Sequence, residues 1–168
     1  MSSMTPQQLE AVQFYFEDLA EGQWFISARR TITEADIVGF AGISGDFNPL
    51  HMDAVHAATH PYGQRAAHGL LVLSIASGLC SQMPVSRATS SARIALLGVE
   101  CRWLKPVHIG DTIQVEMRVA DKKDLPTRSD AGAVTFDRSV KNQRGVVVLR
   151  SQWDLLLRKK TPDAPASV

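Results

Sequence analysis

This chain has little cysteine and no long hydrophobic run, and we expect no secretory leader. Its two cysteines, Cys80 and Cys101, do not have the CxxC spacing typical of redox and zinc sites. They could pair in principle, but two thiols in a chain without a secretory signal are more often free and buried, so we expect no disulfide. The apolar runs are far shorter than the roughly 20 residues that span a bilayer. We therefore predict no membrane partner and no disulfide framework.

An excess of charge of either sign is also lacking. The chain has 18 Lys and Arg against 17 Asp and Glu, which argues against the basic surface of a nucleic-acid-binding protein. The first twenty residues have no basic segment followed by an apolar one, so we expect a cytoplasmic protein. With 45% hydrophobic and 21% charged residues, the composition is typical of a globular protein. We expect a single domain over residues 1–168, with a core of about 20–158 and flexible ends.

Helical signals dominate the first half of the chain. Thr33 is a typical N-cap for a helix that ends at Gly45, and a turn-rich segment follows it. Residues 53–59 can form a short helix. Residues 68–83 are apolar or small at nearly every position, which predicts a long helix that is buried on all sides.

Strand signals dominate after Pro84. From Ile113 to Val119 apolar and polar residues alternate, as in a strand with one solvent-facing side. Further strands are expected at 92–104, 133–141 and 146–158, the last two joined by a hairpin turn. A parallel doubly wound sheet needs helices between its strands, and no helix is predicted there. The pattern favours an α+β hotdog fold, in which an antiparallel sheet curls around the long helix.

Residues 40–69 contain the most informative polar groups. Asp46 and His51 are five residues apart, with Asn48 and Pro49 between them, and a turn can bring the two side chains to one point. A carboxylate and an imidazole that converge could hold one water, which Asp46 deprotonates and His51 orients or reprotonates. A purely structural role is the alternative, because an Asp in such a turn often caps backbone N–H groups.

His68 and Gly69, at the start of the predicted long helix, add a third element. Free N–H groups at a helix N-terminus stabilise negative charge, and Gly69 has no side chain to obstruct an approaching carbonyl oxygen. A base, a water holder and an oxyanion donor together favour a catalytic site over a structural turn.

The segments SGDFNPLHMD (44–53) and AHGL (67–70) resemble the hydratase motif of the MaoC-like dehydratases, which include the R-specific enoyl-CoA hydratases. The resemblance covers about residues 30–158 and is strongest over 38–80. It implies a hotdog protein, expected as a homodimer or a dimer of dimers. It also implies that the chain interconverts trans-2-enoyl-CoA and (R)-3-hydroxyacyl-CoA.

The resemblance also implies roles for single residues. Asp46 and His51 would be the catalytic pair, Asn48 would fix their loop, and Gly69 would donate its N–H to the thioester carbonyl.

Four further residues are predicted to contact the substrate. Ser77 and Gly78 match a Ser-Gly pair of the bacterial R-specific enzymes, although small residues there can equally serve packing. Arg65, in a segment that departs from the family pattern, and His68 at the helix entrance complete the set.

No cofactor is expected, because coenzyme A is part of the substrate. A metal site at His51, His56 and His60 is disfavoured, because no cysteine or compact carboxylate cluster completes it. Two other functions are open. A hotdog thioesterase would carry an acidic residue on or near the central helix, and residues 68–83 contain none. A non-catalytic acyl-thioester-binding subunit would have no need of the complete catalytic set.

Overall fold

A computed structural model describes residues 12–160, in which a six-stranded antiparallel sheet packs against one long helix. The strands are β1 (Trp24–Ile26), β2 (Arg30–Thr31), β3 (Arg93–Trp103), β4 (Thr112–Leu125), β5 (Arg128–Lys141) and β6 (Val147–Arg158). Their order is β1–β4–β5–β6–β3. The strand β2 pairs with the first two residues of β4, which precede the residues that pair with β1. The α+β hotdog prediction is confirmed.

Helices precede the main strands, as expected. They are α1 (Glu34–Ser44), α2 (Pro49–Met52), α3 (Ala54–Thr59), α4 (Gly69–Ser81) and α5 (Pro84–Ala88), after a 3-10 turn at Phe16–Asp18. We call α4 the central helix. It begins directly after its N-cap His68, within the predicted range.

The core lies between the central helix and the inner face of the sheet. Along β4, Ile113, Val115, Met117 and Val119 are buried, while the residues between them are partly or fully exposed. The predicted alternation is therefore confirmed. Side chains of the central helix that face the sheet, such as Val72 and Leu79, belong to the same cluster.

The expectation that the central helix is buried on all sides is wrong. Leu70 is 58% exposed, and Ser74 and Ser81 are also exposed. The sheet of one chain covers only one side of a helix, so the small and apolar residues of the opposite side remain open.

Several boundaries also differ from the predictions. The short strands β1 and β2 and the helix α5 were not predicted, because two to five residues give no measurable periodicity. The strands β4 and β5 continue into a hairpin of charged residues up to Leu125 and Arg128, where alternation is lost. The hairpin turn at 142–145 is as predicted, and Gly145 has a positive φ of 76°.

Parts of the predicted flexible ends fall within the described residues, namely 12–19 and 159–160. Phe16 and Leu19 are buried in the core cluster. Lys159 pairs with Asp124, and Lys160 pairs with Asp18. Both cysteines are free thiols, as predicted. No helix among residues 12–160 is long and apolar enough to cross a bilayer.

Candidate active site

The cap and the end of α1 set the position of the first catalytic candidate. Thr33 Oγ1 accepts the Asp36 N–H, and the Asp36 carboxylate accepts the Thr33 N–H, which completes a capping box. At the other end Gly45 adopts a left-handed conformation, with φ 75°. Because glycine reverses the chain there without strain, Asp46 follows directly at the end of the helix.

Asn48 organises the turn between the two catalytic candidates. Its side-chain Oδ1 accepts the Leu50 N–H at 2.9 Å, which caps α2, and Pro49 occupies the first helical position. The Asn48 N–H in turn reaches Asp46 Oδ1 at 3.2 Å. One helical turn then places His51 on the same side as Asp46.

The hydrogen bond of His51 determines which ring nitrogen is free. Nδ1 lies 2.7 Å from the carbonyl oxygen of Ala66. A carbonyl can only accept, so Nδ1 carries the proton and the neutral ring has its lone pair on Nε2. His51 can therefore take or give a proton through Nε2.

His68 is a buried support for this loop. It is 2% exposed, and its Nε2 donates to the Asp46 carbonyl oxygen at 2.9 Å. Its ring stacks on the His51 ring, with centroids 3.9 Å apart, and also contacts Phe40 at 5.0 Å. His68 thus links the start of the central helix to both catalytic candidates.

The three side chains converge as the sequence pattern predicts for Asp46 and His51. One carboxylate oxygen of Asp46 and one ring nitrogen each of His51 and His68 lie within 4.8 Å of one another. Such a set also has the composition of a metal site. The two imidazoles are stacked, with an interplanar angle of 32°. The Asp46 carboxylate and His51 can equally hold a water between them.

Gly69 lies beside the pair at the N-terminus of the central helix. As the first helical residue its N–H has no partner within the helix. A cavity of about 430 Å³ opens here, lined by residues including His51, Gly69, Val72, Trp103 and Leu149. The cavity thus joins one catalytic candidate to the predicted oxyanion donor.

Arg65 is placed between the catalytic loop and α1. Its Nε donates to the His51 carbonyl oxygen at 2.9 Å, and its Nη1 pairs with Glu34 at the same distance. Its own carbonyl oxygen accepts from His108 Nδ1. These contacts anchor the loop, and the predicted contact of Arg65 with substrate stays a prediction.

Ser77 and Gly78 lie apart from this cluster. Both are half-buried in the central helix and are not among the residues that line the cavity. A rise of 1.5 Å per residue places Ser77 about 12 Å along the helix from Gly69. A Cβ at Gly78 would meet nothing within 4 Å, so no close packing contact within the described chain requires this glycine.

Sequence reasoning missed Trp103 and Tyr62, which line the cavity. Trp103 is 50% exposed and lies against Gly69. A signal was available, because a large Trp at the end of a predicted strand, followed by Leu104-Lys105-Pro106, is costly to leave open to solvent. His56 and His60 lie on and after α3 and are not part of the converging group.

Comparison with known proteins finds a matching family model and several related sequences. A family model described as "MaoC like domain" matches residues 19–141. The chain is 43% identical over 116 residues to "Protein MaoC" of Klebsiella aerogenes and 37% identical over 107 residues to a 3-hydroxybutyryl-CoA dehydratase of Methylorubrum extorquens. These alignments span 68% and 64% of this chain, but only 33% and 64% of those relatives. An (R)-specific enoyl-CoA hydratase of Rhodospirillum rubrum is 36% identical over 66% of this chain and 72% of its own length.

Solved structures give the same picture. A protein of Archaeoglobus fulgius described as a monoamine oxidase regulatory protein has a TM-score of 0.84 and 41% identity, covering 89% of this chain and 97% of its own. A MaoC-like dehydratase of Rhodospirillum rubrum has a TM-score of 0.80 and 32% identity, covering 89% and 99%. A double-hotdog protein of Mycobacterium tuberculosis matches at 21% identity over 92% of this chain and 47% of its own, with a TM-score of 0.74, and shows the fold alone.

Proposed function

This chain belongs to the family of MaoC-like domains, and on that premise we propose that it interconverts trans-2-enoyl-CoA and (R)-3-hydroxyacyl-CoA. The observation that carries the proposal is the convergence of the Asp46 carboxylate and an imidazole nitrogen of His51 within 4.8 Å. Hydratases and dehydratases among the relatives support it.

In the proposed reaction Asp46 and His51 hold one water between them. Asp46 accepts a proton from this water as its oxygen attacks the β-carbon of the enoyl thioester. His51, whose Nδ1 is held by the Ala66 carbonyl oxygen, orients the water through Nε2. The proton then returns to the α-carbon, and dehydration follows the same steps in reverse.

Attack at the β-carbon places negative charge on the thioester oxygen. The N–H of Gly69 and the positive end of the central helix stabilise that charge in the proposed complex. A single aimed donor in a water-excluded site is worth about 3 kcal/mol of barrier. The reaction needs only water and the thioester, so we propose that it uses neither a metal nor a further cofactor.

We also propose that the chain works as a homodimer or a dimer of dimers. The strand β3 lies at the edge of the sheet, and its large apolar residues Leu96, Leu97 and Trp103 are about half exposed. An open edge of this kind is a ready surface for pairing with a second copy. A fully active monomer in sedimentation at micromolar concentration would contradict this proposal.

The test of function is a panel of enoyl-CoAs of graded length, followed by the loss of enoyl absorbance. Asp46→Asn and His51→Ala should each lower kcat by about 100-fold or more while the protein remains folded. Glu21→Gln and His56→Ala are matched controls, because both side chains are exposed and outside the converging group. If the Asp46 and His51 variants hydrate at the wild-type rate, these residues have no part in the chemistry. A wild type inactive on every thioester favours the binding-subunit alternative.

A further inference from the structure

Arg138 on β5 is a buried cation that the proposed reaction does not use. It occupies an inward position between Phe136 and Val140 and is 7% exposed. Burial lowers the pKa of its guanidinium, and the nearby charge of Arg93 lowers it further, with an opposing contribution from Cys80. A charge in such a place is costly unless an opposite charge or hydrogen bonds compensate it.

Within residues 12–160 that compensation is incomplete. The Arg138 guanidinium stacks over the Trp153 ring at 4.0 Å, but its Nε and Nη1 are buried with no hydrogen-bond partner. Two carboxylates of β5 and β6 serve other groups: Asp137 accepts from Gln152, and Asp154 accepts from Thr135. Both of these guanidinium nitrogens therefore have N–H groups without an acceptor among the described residues.

The location connects Arg138 to the active site. In the sheet register Arg138 pairs with Ser151, which pairs with Cys101, and the next inward row contains Leu149 and Trp103 of the active-site cavity. Arg138 and Trp103 are two strands apart, at about 4.8 Å per strand, and two residues apart along the strands, at about 3.4 Å per residue. Their Cα atoms are therefore about 12 Å apart across the sheet.

The inner face of the sheet contains both the cavity residue Trp103 and Arg138. The inward residues of β3, which are Val99, Cys101 and Trp103, are partly exposed because the central helix does not cover them. A tail that starts at Gly69 and follows the uncovered strip therefore passes from an apolar surface to a cation.

We propose that Arg138 binds a carboxylate at the distal end of the acyl chain, so that the preferred substrates are thioesters of dicarboxylic acids. Stacking on Trp153 holds the guanidinium in place. Its Nε–H, which is buried without a partner, shares an edge with Nη2, and that edge can donate two parallel hydrogen bonds to one carboxylate. This inference rests on the proposed hydratase function and specifies its substrate class.

The experiment compares enoyl-CoAs of equal length that end in a carboxylate, its methyl ester or a methyl group. Hydrogen bonds to a charged group discriminate by roughly 10- to 100-fold, so the wild type should favour the carboxylate in kcat/KM by at least about tenfold at one chain length. Arg138→Met, which keeps the stacking surface on Trp153, should bring that ratio close to one. Arg118→Met is the control, because Arg118 is exposed on the opposite face of β4, and its ratio should stay that of the wild type.

Inhibition of the wild type provides a second measurement if Arg138→Met does not fold. Saturated acyl-CoAs with the same end groups cannot be hydrated, and the carboxylate-ended inhibitor should bind at least about tenfold more tightly than its ester. Equal binding of both inhibitors, or equal kcat/KM for all three end groups, overturns the assignment. That result is expected if a carboxylate of a partner subunit already pairs with Arg138. Hydration of the methyl-ended substrate in that case leaves the proposed function intact, whereas failure to hydrate any thioester refutes the function itself.

Discussion

Replacing Gly69 with alanine tests the proposed oxyanion site at its narrowest point. A Cβ built on Gly69 would lie 2.7 Å from Nε1 of Trp103 and 3.0 Å from both Cδ1 and Cε2. Carbon atoms in real structures do not approach so closely, so the indole has to move. Because Trp103 is half exposed, it can swing outward and the chain should still fold.

The magnitudes for stability and for catalysis differ. Overpacking costs about 1–3 kcal/mol, and alanine regains about 0.5–1 kcal/mol over glycine in a helix, so the net loss of stability should be about 2 kcal/mol or less. A methyl group in front of the Gly69 N–H, together with a displaced Trp103, should remove one oxyanion donor. That loss corresponds to about 100- to 1000-fold in kcat.

The assay measures hydration of a crotonyl thioester and urea unfolding on the same preparations. Gly39→Ala is the matched control: it lies inside α1, a Cβ there meets nothing within 4 Å, and it should slightly stabilise the protein at unchanged kcat. Hydration by Gly69→Ala within threefold of wild type would refute the role of this N–H. If adding Trp103→Ala to Gly69→Ala restores the rate of hydration, the loss of kcat is due to the displaced indole rather than to the blocked N–H donor.

Two further predictions concern the supports of the catalytic loop. The hydrogen bonds that Asp36 accepts from Thr33, with those from Arg30, outweigh its burial and lower its pKa, so Asp36→Ala should cost about 1 kcal/mol at pH 7. Since a lowered folded-state pKa stabilises only the ionised form, this difference should begin to shrink as the pH falls below the ordinary value of 3.8 and be lost as it falls through the lower folded-state pKa. Urea unfolding at pH 7 and at a series of pH values below 3.8 measures it, and a difference that does not decline over that series would contradict the assignment. Arg65→Lys, which cannot keep both the His51 and the Glu34 contact, should lower kcat by about tenfold with little change in KM. A rise in KM at constant kcat would instead support the predicted substrate contact.

The parts of the structure that could be predicted are those set by local chemistry. The Thr33 cap, the stop at Gly45 and the capping Asn48 each act within a few residues, so their positions follow from residue type. The alternation from Ile113 to Val119 likewise depends only on which side chains avoid water. These elements place Asp46 and His51 at the two ends of one turn.

What could not be predicted depends on contacts between distant segments. The salt bridge of Arg65 with Glu34 joins residues that are 31 positions apart, and the approach of Trp103 to Gly69 joins two separate elements. The open side of the central helix is a third case, because an apolar segment does not reveal how many neighbours cover it. Arg138 is a fourth case, because only the strand register shows that its direct partners are Met117 and Ser151, neither of which has a carboxylate.

Hydration of a crotonyl thioester in deuterated water tests the single shared water most directly. If one water supplies both the hydroxyl group and the returned proton from the face set by Asp46 and His51, addition has to be syn. NMR coupling constants of the released acid should show one diastereomer, with deuterium at C2 syn to the hydroxyl at C3, and the alcohol should be R. An anti product would require two proton donors on opposite faces and would contradict the account, and an S alcohol would contradict the placement of the thioester oxygen at Gly69.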